Sequence, residues 1–359
     1  MSMTTSELIA HRLHAQMIAA PSLSEPLAVV RHMGAVQAQD YGQALWAIGL
    51  RTKGATKTTI EQAVANGSIV RTWPMRGTIH FVPGEDARWM LSLSTPRIIS
   101  GARSRLVSVG LDETVFDKAR TILEEALPGK QLTRPELMRA LASGGLDVSD
   151  QRGYLMLWYW SQRGVTCIGP MRGKQQTFTL LEELAPKQRQ FTKEEGIAVL
   201  ARRYFASHGP ATLADFCTWA SLTKTEVVPV MSQLGSHVIK ENIQGIEYWF
   251  STDVAAVRPE SVSDTYLLAG FEEYLLGYKD RSAVLQTGYT VAPYKNGVFF
   301  PIMVHDGQVV GTWKRTIKPK NIAVQFEPFA PLNSALRQRF CQKALAYGAF
   351  HDLPIVFAD

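Results

Sequence analysis

His208-Gly209-Pro210-Ala211-Thr212-Leu213-Ala214-Asp215-Phe216 ends one helix-forming run and opens the next. Gly-Pro cannot continue a helix, whereas Thr212, ahead of an apolar-periodic stretch, is a helix-capping residue. Downstream, Thr212 is expected to cap Leu213 to Ala220 and Thr223 to cap Lys224 to Leu234. Two β-like stretches then follow, Ser236 to Lys240 and Ile246 to Ser251, around a turn at Asn242-Ile243-Gln244-Gly245. Helices followed by a two-stranded wing is the order of a winged helix-turn-helix.

The same order occurs twice upstream. Thr133-Arg134-Pro135-Glu136 is a capping-box pattern that opens a short amphipathic helix, stopping near Gly144-Gly145. Ser149 is placed to cap the next helix, which runs through Tyr154, Leu157, Trp158 and Trp160 to Gly164. Val165 to Ile168 and Thr177 to Leu180 supply its wing. Nearer the N-terminus, helical stretches at residues 5–19, 25–37 and 58–66 precede Ile69 to Trp73 and Thr78 to Val82, separated by Pro74-Met75-Arg76-Gly77. The repeat is longer than a solenoid unit, which indicates separately folded modules.

After Asp264 the texture becomes β, with strands expected at Val291 to Pro293, Val298 to Val304, Val309 to Trp313 and Ile322 to Phe326. Asn296-Gly297 and Asp306-Gly307 suit type I′ hairpin turns, whose two central residues need positive φ. A helix from Asn333 to Tyr347 and a strand from Pro354 to Phe357 complete the chain. The expected fold is therefore mainly α with β: three tandem winged helix-turn-helix modules (1–125, 126–190 and 191–258) and a small C-terminal antiparallel β-barrel (259–359).

Composition fits this reading. The 359 residues, 46% hydrophobic, suffice for several buried cores, and no apolar run reaches a bilayer-spanning length. A signal-peptide pattern is missing at the start, so a cytoplasmic location is expected. Cys167, Cys217 and Cys341 are too few and too scattered for a disulfide framework or a cysteine zinc site. The net charge is +6; residues 1–110 hold eleven Lys/Arg against six Asp/Glu, so +5 of that excess lies in the first third. Such asymmetry suits a polyanionic partner.

Several motifs fail on inspection. Gly169 to Gln175 lacks the spacing and the Ser/Thr of a phosphate-binding loop, and neither a G-x-G-x-x-G nor a G-x-S-x-G occurs. His11 and His14 share a helical face but have no third ligand nearby, so no metal is expected. Glu272-Glu273, with Asp264 and Asp280, has the residue types of a glycoside-hydrolase pair. Adjacent carboxylates at a surface or barrel entrance are the commoner explanation.

Gln37-Ala38-Gln39-Asp40 is the strongest candidate for chemistry. In a helix Gln37 and Gln39 point about 200° apart, so joint action requires a helix end between residues 36 and 40. Otherwise they are ordinary polar residues near a helix end. Glutamine does not titrate, but its carbonyl can accept from a water while its amide donates to substrate oxygen. Asp40 either supports a developing positive charge or is a solvated helix-end residue.

Met33-Gly34-Ala35-Val36-Gln37-Ala38-Gln39-Asp40-Tyr41 resembles the glutamine-X-glutamine motif of the AlkZ-type (YcaQ-like) DNA glycosylases, which are built from tandem winged helices. The resemblance extends along the chain. It includes Arg71-Thr72 to His80-Phe81-Val82, the 209–216 segment, Phe271 to Tyr278 with Lys279-Asp280-Arg281, Asn296-Gly297-Val298-Phe299, and Val309 to Trp313. YcaQ-like members carry Asp at the second motif position, so Gln39 places this chain nearer the AlkZ branch.

The resemblance implies a monofunctional DNA glycosylase acting on N-alkylated purines, with interstrand crosslinks as candidate substrates. Gln37 and Gln39 would be its catalytic residues, Asp40 a supporting one, and no cofactor is implied. An alkylated purine already carries positive charge and leaves without protonation, so the enzyme's tasks are to place water at C1′ and stabilise the sugar cation. The expected partner is double-stranded DNA, bound by a monomer that is nucleoid-associated when engaged. Arg51, Arg71, Arg76, Lys279, Arg281, Lys295, Lys314 and Arg315 are the candidate phosphate contacts. Tyr294 and Lys295 lie at a hairpin tip suited to probing a groove. Trp46, Trp73 and His80 either line a base-facing wall or belong to the core. The competing reading is a non-catalytic winged-helix DNA-binding protein or regulator.

Overall fold

The computed structural model describes residues 3–256, 264–285 and 293–358. In chain order the elements begin α1 (Thr5–Ala15), α2 (Pro26–Met33), β1 (Val36–Gln37), α3 (Tyr41–Gly49), α4 (Lys57–Ala65), β2 (Ile69–Met75) and β3 (Thr78–Pro83). They continue with α5 (Ala87–Ser108), α6 (Glu113–Ala126), β4 (Leu132–Thr133), α7 (Arg134–Ser143), α8 (Arg152–Gln162), β5 (Thr166–Ile168), β6 (Thr177–Leu180) and α9 (Leu181–Leu184). Next come α10 (Lys193–Ser207), α11 (Leu213–Ala220), α12 (Lys224–Val227), β7 (Val238–Ile243), β8 (Ile246–Ser251), α13 (Thr252–Ala256), β9 (Thr265–Leu268) and α14 (Glu273–Leu276). The chain ends with β10 (Tyr294–Lys295), β11 (Val298–Phe299), β12 (Ile302–His305), β13 (Gln308–Ile317), β14 (Ile322–Pro328), α15 (Ser334–His351) and β15 (Ile355–Phe357).

These elements form two compact units, Met1–Ile60 with Ala198–Asp359, and Glu61–Ile197. In the second unit the strands run in the order β3-β2-β5-β6-β4. Strand β2 pairs with β5 through Arg71 and Ile168, so the wing expected for the first module and that expected for the second share one sheet. The hairpin turns at Arg76-Gly77, both with positive φ, as a type I′ turn requires. Helix α7 begins at the capping box of Thr133 and Glu136. Ser149 does not cap α8: its hydroxyl donates to Asp147, and Gln151 in a left-handed conformation occupies the cap position.

In the first unit, the Asn242-to-Gly245 turn is tighter than expected. Strands β7 and β8 pair as far as Ile243 and Ile246, leaving Gln244-Gly245 at positive φ. Thr212 and Thr223 each form a capping box. Helix α12 lasts only one turn before a 3-10 segment, Val228–His237, in which Pro229 lacks the N–H that an α-helix needs. The C-terminal sheet has the order β15-β14-β13-β12-β9, and β15 runs parallel to β14. It is thus a curled mixed sheet where a purely antiparallel barrel was expected. Parallel pairing arises because α15 carries the chain back along the sheet before β15. Asn296-Gly297 and Asp306-Gly307 both adopt positive φ, as anticipated. The expected Val291 to Pro293 strand falls mostly outside the described residues, as does the expected 258/259 boundary.

Helix α1 is anchored on this sheet. Ile9, Leu13 and Ile18 share one core cluster with Leu268, Tyr274, Ile302, Val304 and Val309. Burial of each aliphatic side chain stabilises by about 1.5–3 kcal/mol. Gly307 is needed at the turn twice over, because its φ is +73° and a Cβ there would stand 2.1 Å from the Ile9 side chain.

Arg51 and Glu272, both at 1% side-chain exposure, join at 2.6 Å inside this unit. Arg51 also donates to the Ala47 and Gln16 carbonyls and to the Gln16 side chain, tying α3 and the end of α1 to the start of α14. Glu272→Ala leaves a buried guanidinium uncompensated and should cost about 3–5 kcal/mol in urea denaturation. The double change Arg51→Met with Glu272→Leu should cost clearly less. A double variant as unstable as the single one would show that the charge pair itself carries the stability.

Burial, with Lys57 and Arg315 close by, pushes His351 down to about 4. Its ordinary value is 6.5. The unfolded chain therefore binds a proton that the fold resists, and this contribution to stability, present above 6.5, is lost as pH falls towards 4. Denaturation midpoints measured across that interval should fall less steeply for His351→Gln than for the parent chain.

Candidate active site

Gln37 closes the two-residue strand β1 and Gln39 lies in the bend that follows, in a short link between two helices. Helix α2 stops at Met33, earlier than residue 37, because Gly34 takes φ +78°. A Cβ at Gly34 would stand 3.2 Å from Trp219, so the close approach also calls for glycine. Asp40 begins α3, its Oδ1 accepting from the Gln43 N–H at 3.1 Å. The helix thus ends short of the 36–40 interval expected, and both glutamines lie outside any helix, between α2 and α3.

A buried carboxylate supports this link. Glu273 Oε2 accepts from Trp219 Nε1 at 2.8 Å, and Oε1 accepts from the Gln37 backbone N–H at 3.4 Å. His208 Nε2 stands 3.5 Å from the same carboxylate, while its Nδ1 meets the Ser207 hydroxyl at 2.7 Å. Glu272 and Glu273, each 2% exposed, are therefore core groups, and the surface or barrel-entrance setting expected for them does not hold. Trp219 binds Glu273 and abuts Gly34, so one indole braces both the glycine stop and the carboxylate.

The two glutamines differ in exposure. Gln37 is 6% exposed, whereas Gln39 is exposed to solvent and Asp40 is half-buried. Both Asp40 oxygens are engaged, Oδ1 in the cap and Oδ2 with Arg315 Nη2 at 3.0 Å. Arg315 also hydrogen-bonds Tyr347, whose hydroxyl is nonetheless shifted upward, chiefly by burial. One turn into α3, Gln43 is 1% exposed and its Oε1 accepts from the Gly270 N–H at 2.6 Å. Phe271 N–H in turn donates to the Phe299 carbonyl at 3.2 Å, so α3 is connected to the β10–β11 hairpin.

At that hairpin Tyr294 stacks on Phe299 with ring centroids 5.0 Å apart, and the Arg281 guanidinium lies over both rings. Lys295 is exposed at the tip. Lys314, also exposed, pairs with Glu327 on the neighbouring strand. Lys279 is exposed, and its backbone N–H donates to Asp215 at 2.8 Å.

Two of the expected phosphate contacts do not survive. Arg51 is 1% exposed within its ion pair, and Arg71 is 4% exposed on β2, where it donates to Gln176. A guanidinium enclosed in this way presents no charge to a DNA backbone. Arg76, in the second unit, stays partly exposed at its turn and meets His80 Nε2 at 2.9 Å. That contact, with Nδ1 at 2.9 Å from the Thr78 carbonyl, fixes the His80 tautomer with the proton on Nδ1. Trp46, Trp73 and His80 are all buried and belong to the core. Among the described residues no cluster of three or more His, Cys, Asp or Glu could hold a metal, and no helix is long and apolar enough to cross a membrane.

Set beside known proteins, this geometry belongs to a defined class. The chain is a member of the DNA glycosylase AlkZ-like family, whose match spans residues 30–350. It is 28% identical over 314 residues to an interstrand DNA cross-link repair glycosylase from Streptomyces sahachiroi, covering 82% of each chain. The solved structure of the Streptomyces sahachiroi DNA glycosylase AlkZ superposes with a TM-score of 0.77 at 25% identity, covering all of both chains. The protein is thus a DNA glycosylase, a hydrolase of N-glycosyl bonds, and the purely DNA-binding alternative falls away.

Sequence reasoning missed Glu273, Trp219 and Gln43 as supports of the motif. The Phe271-to-Tyr278 segment, part of the family resemblance, carried the signal for Glu273. Glu273→Ala removes the acceptor of the buried Trp219 Nε1–H and should cost about 1–3 kcal/mol, with loss of base release. Glu273→Gln keeps an acceptor oxygen and should recover most of the stability. Equal denaturation midpoints for Glu273→Ala and the parent chain would remove Glu273 as the support of the motif.

Proposed function

We propose that this chain is a monofunctional DNA glycosylase that hydrolyses the N-glycosidic bond of cationic N-alkylated purines in duplex DNA, interstrand crosslinks included, with Gln37 and Gln39 positioning the water. The observation that carries this reading is the non-helical Gln37-to-Gln39 link, bounded by Gly34 and the Asp40 cap and backed by the buried Glu273. Enzymatic advantage here comes from placement and preorganised dipoles, which a rigidly held link can supply. Because the alkylated base leaves neutral, no general acid is required.

Gln37, nearly enclosed, is suited to hold one fixed amide orientation; Gln39, exposed, is suited to meet the strand. Asp40 has a lesser part. Its charge is already balanced by Arg315, so its field on a sugar cation is weakened, and fixing the start of α3 becomes its main task. The relative from Streptomyces sahachiroi is named for cross-link repair, which supports including tethered bases. An open cleft suits a substrate that cannot be flipped as a single base.

For the DNA path we retain Arg76, Lys279, Arg281, Tyr294, Lys295, Lys314 and Arg315. The Tyr294-Lys295 tip, stiffened by Tyr294–Phe299 stacking, is the groove-probing element. The tandem winged-helix arrangement, a monomeric state and a cytoplasmic, nucleoid-associated location belong to the same proposal.

Duplex DNA holding N7-methylguanine or a nitrogen-mustard crosslink should yield abasic strands with the parent chain. Gln37→Ala and Gln39→Ala should each slow release by about 100-fold or more, and the double variant by less than the product of the two. Release should vary little with pH around neutrality, because amides do not titrate. Absence of abasic product, or variants as fast as the parent, rejects the assignment; a steep bell-shaped profile replaces the glutamines with titrating groups.

A further inference from the structure

The buried side chain of Gln43 is hydrogen-bonded at one end only. Its Oε1 accepts from the Gly270 N–H at 2.6 Å, and turning the amide over would set NH₂ against N–H, which fixes its orientation. Its nitrogen is enclosed and meets no acceptor among the described residues. An unmet buried donor is unfavourable, so the side chain is not the one that stability alone would select there. What it contributes is a carbonyl aimed at residue 270. Trp46, one turn further along the same face of α3, donates Nε1 to the Leu267 carbonyl at 2.9 Å. Helix α3 is thus fastened to residues 267–270 at two points, and its start is capped by Asp40, next to Gln39, through the Gln43 backbone N–H.

The residue after Gly270 is strained. Phe271 has φ +56°, a left-handed conformation that bulky side chains rarely adopt. Both of its flanks are tied. Gln43 holds Gly270 on one side, and on the other Glu272 binds Arg51 while Glu273 accepts from the Gln37 backbone N–H. The Phe271 N–H itself donates to the Phe299 carbonyl at 3.2 Å, and the Phe299 ring stacks on Tyr294 in the β10–β11 hairpin. Packing at Gly270 is equally close: a Cβ there would stand 3.1 Å from the Phe299 carbonyl oxygen and 3.5 Å from Gln43 Cγ.

We infer that Gln43 and Phe271 are positioning residues that couple the β10–β11 hairpin to the glutamine motif, so that a hairpin seated against duplex DNA sets the geometry of Gln37 and Gln39. One arm runs from Tyr294 through Phe299, Phe271 and Glu273 to the Gln37 backbone; the other runs through Gly270 and Gln43 to the start of α3. A residue held in a sparsely populated conformation has lower-energy arrangements open to it, so a contact that moves Phe299 biases the turn and the groups bonded to it. The inference rests on the functional reading above, in which the hairpin meets DNA and the glutamines place water. It adds that the hairpin acts on the rate of base release as well as on affinity.

Single-turnover release of N7-methylguanine from duplex DNA, followed at increasing protein concentration, separates affinity from the rate at saturation. Tyr294→Ala should weaken binding and also lower the saturating rate about tenfold. Gln43→Leu should lower that rate about tenfold with little change in affinity. Gly270 lies outside the left-handed region, so Gly270→Ala keeps the backbone accessible while driving Phe299 away from Gln43, and should act in the same way. Phe271→Gly retains the N–H but releases the strain, and should uncouple the two elements as well. Adding Tyr294→Ala to any of these three should leave the saturating rate nearly as it was, a non-additivity that three separate structural defects would not produce. Denaturation midpoints select the variants that are folded, and one folded variant of the three completes the cycle. A saturating rate untouched by Tyr294→Ala, effects that multiply in the folded double variants, or loss of folding in all three overturns the coupling. A parent chain that releases no base, or Gln37→Ala as fast as the parent, overturns instead the functional reading beneath it.

Discussion

Two adjacent buried carboxylates, Glu272 and Glu273, govern the first unit. Neither can be enclosed without donors, so the chain must deliver donors to both. Glu272 receives Arg51 from just beyond α3, and Glu273 receives the Trp219 indole and the Gln37 backbone N–H. Three stretches remote in sequence are thereby brought to one point: the motif-bearing N-terminal segment, α11, and the turn into α14. The apolar cluster of α1 on the C-terminal sheet supplies most of the burial, but it is non-directional. Hydrogen bonds to two fixed carboxylates set orientation, which the proposed catalysis by positioned amides would require.

The glycine stop acts with the carboxylates. Gly34 breaks α2 before the glutamines are reached, and its lack of a side chain lets Trp219 approach. Had the helix run on to residue 37, Gln37 and Gln39 would have faced different ways. Instead a short strand and a bend separate α2 from an α3 restarted by the Asp40 cap. Arg315 reinforces that cap from β13, so the far end of the motif is held by the C-terminal sheet, and the near end by α11 and α14.

Features encoded locally were legible in the sequence; long-range pairings were not. The Asn296-Gly297 and Asp306-Gly307 turns and the Thr133, Thr212 and Thr223 capping boxes follow from chemistry within four residues. Helix α5 escaped notice because Ser, Thr and Pro96 interrupt any apolar stripe over Ala87–Ser108. The antiparallel barrel was misjudged for a similar reason: the direction of β15 depends on where α15 delivers the chain. Arg51, Glu272 and Glu273 read as surface charges because their partners are more than fifty residues distant. Family likeness located Gln37 and Gln39, but it did not reveal the groups behind them.

Unequal burial of the two glutamines bears on how the proposed reaction would be divided. An enclosed amide has its carbonyl and NH₂ ends fixed by neighbours, so it can hold a water in one direction but cannot follow a substrate. An exposed amide can adapt to differently shaped adducts, yet it pays side-chain entropy on each encounter. On this reading tolerance of varied alkyl groups resides in Gln39 and rate in Gln37. The family's variation at the second motif position, Asp or Gln, then falls on the residue that meets the substrate, while the first position remains tied to the buried carboxylate.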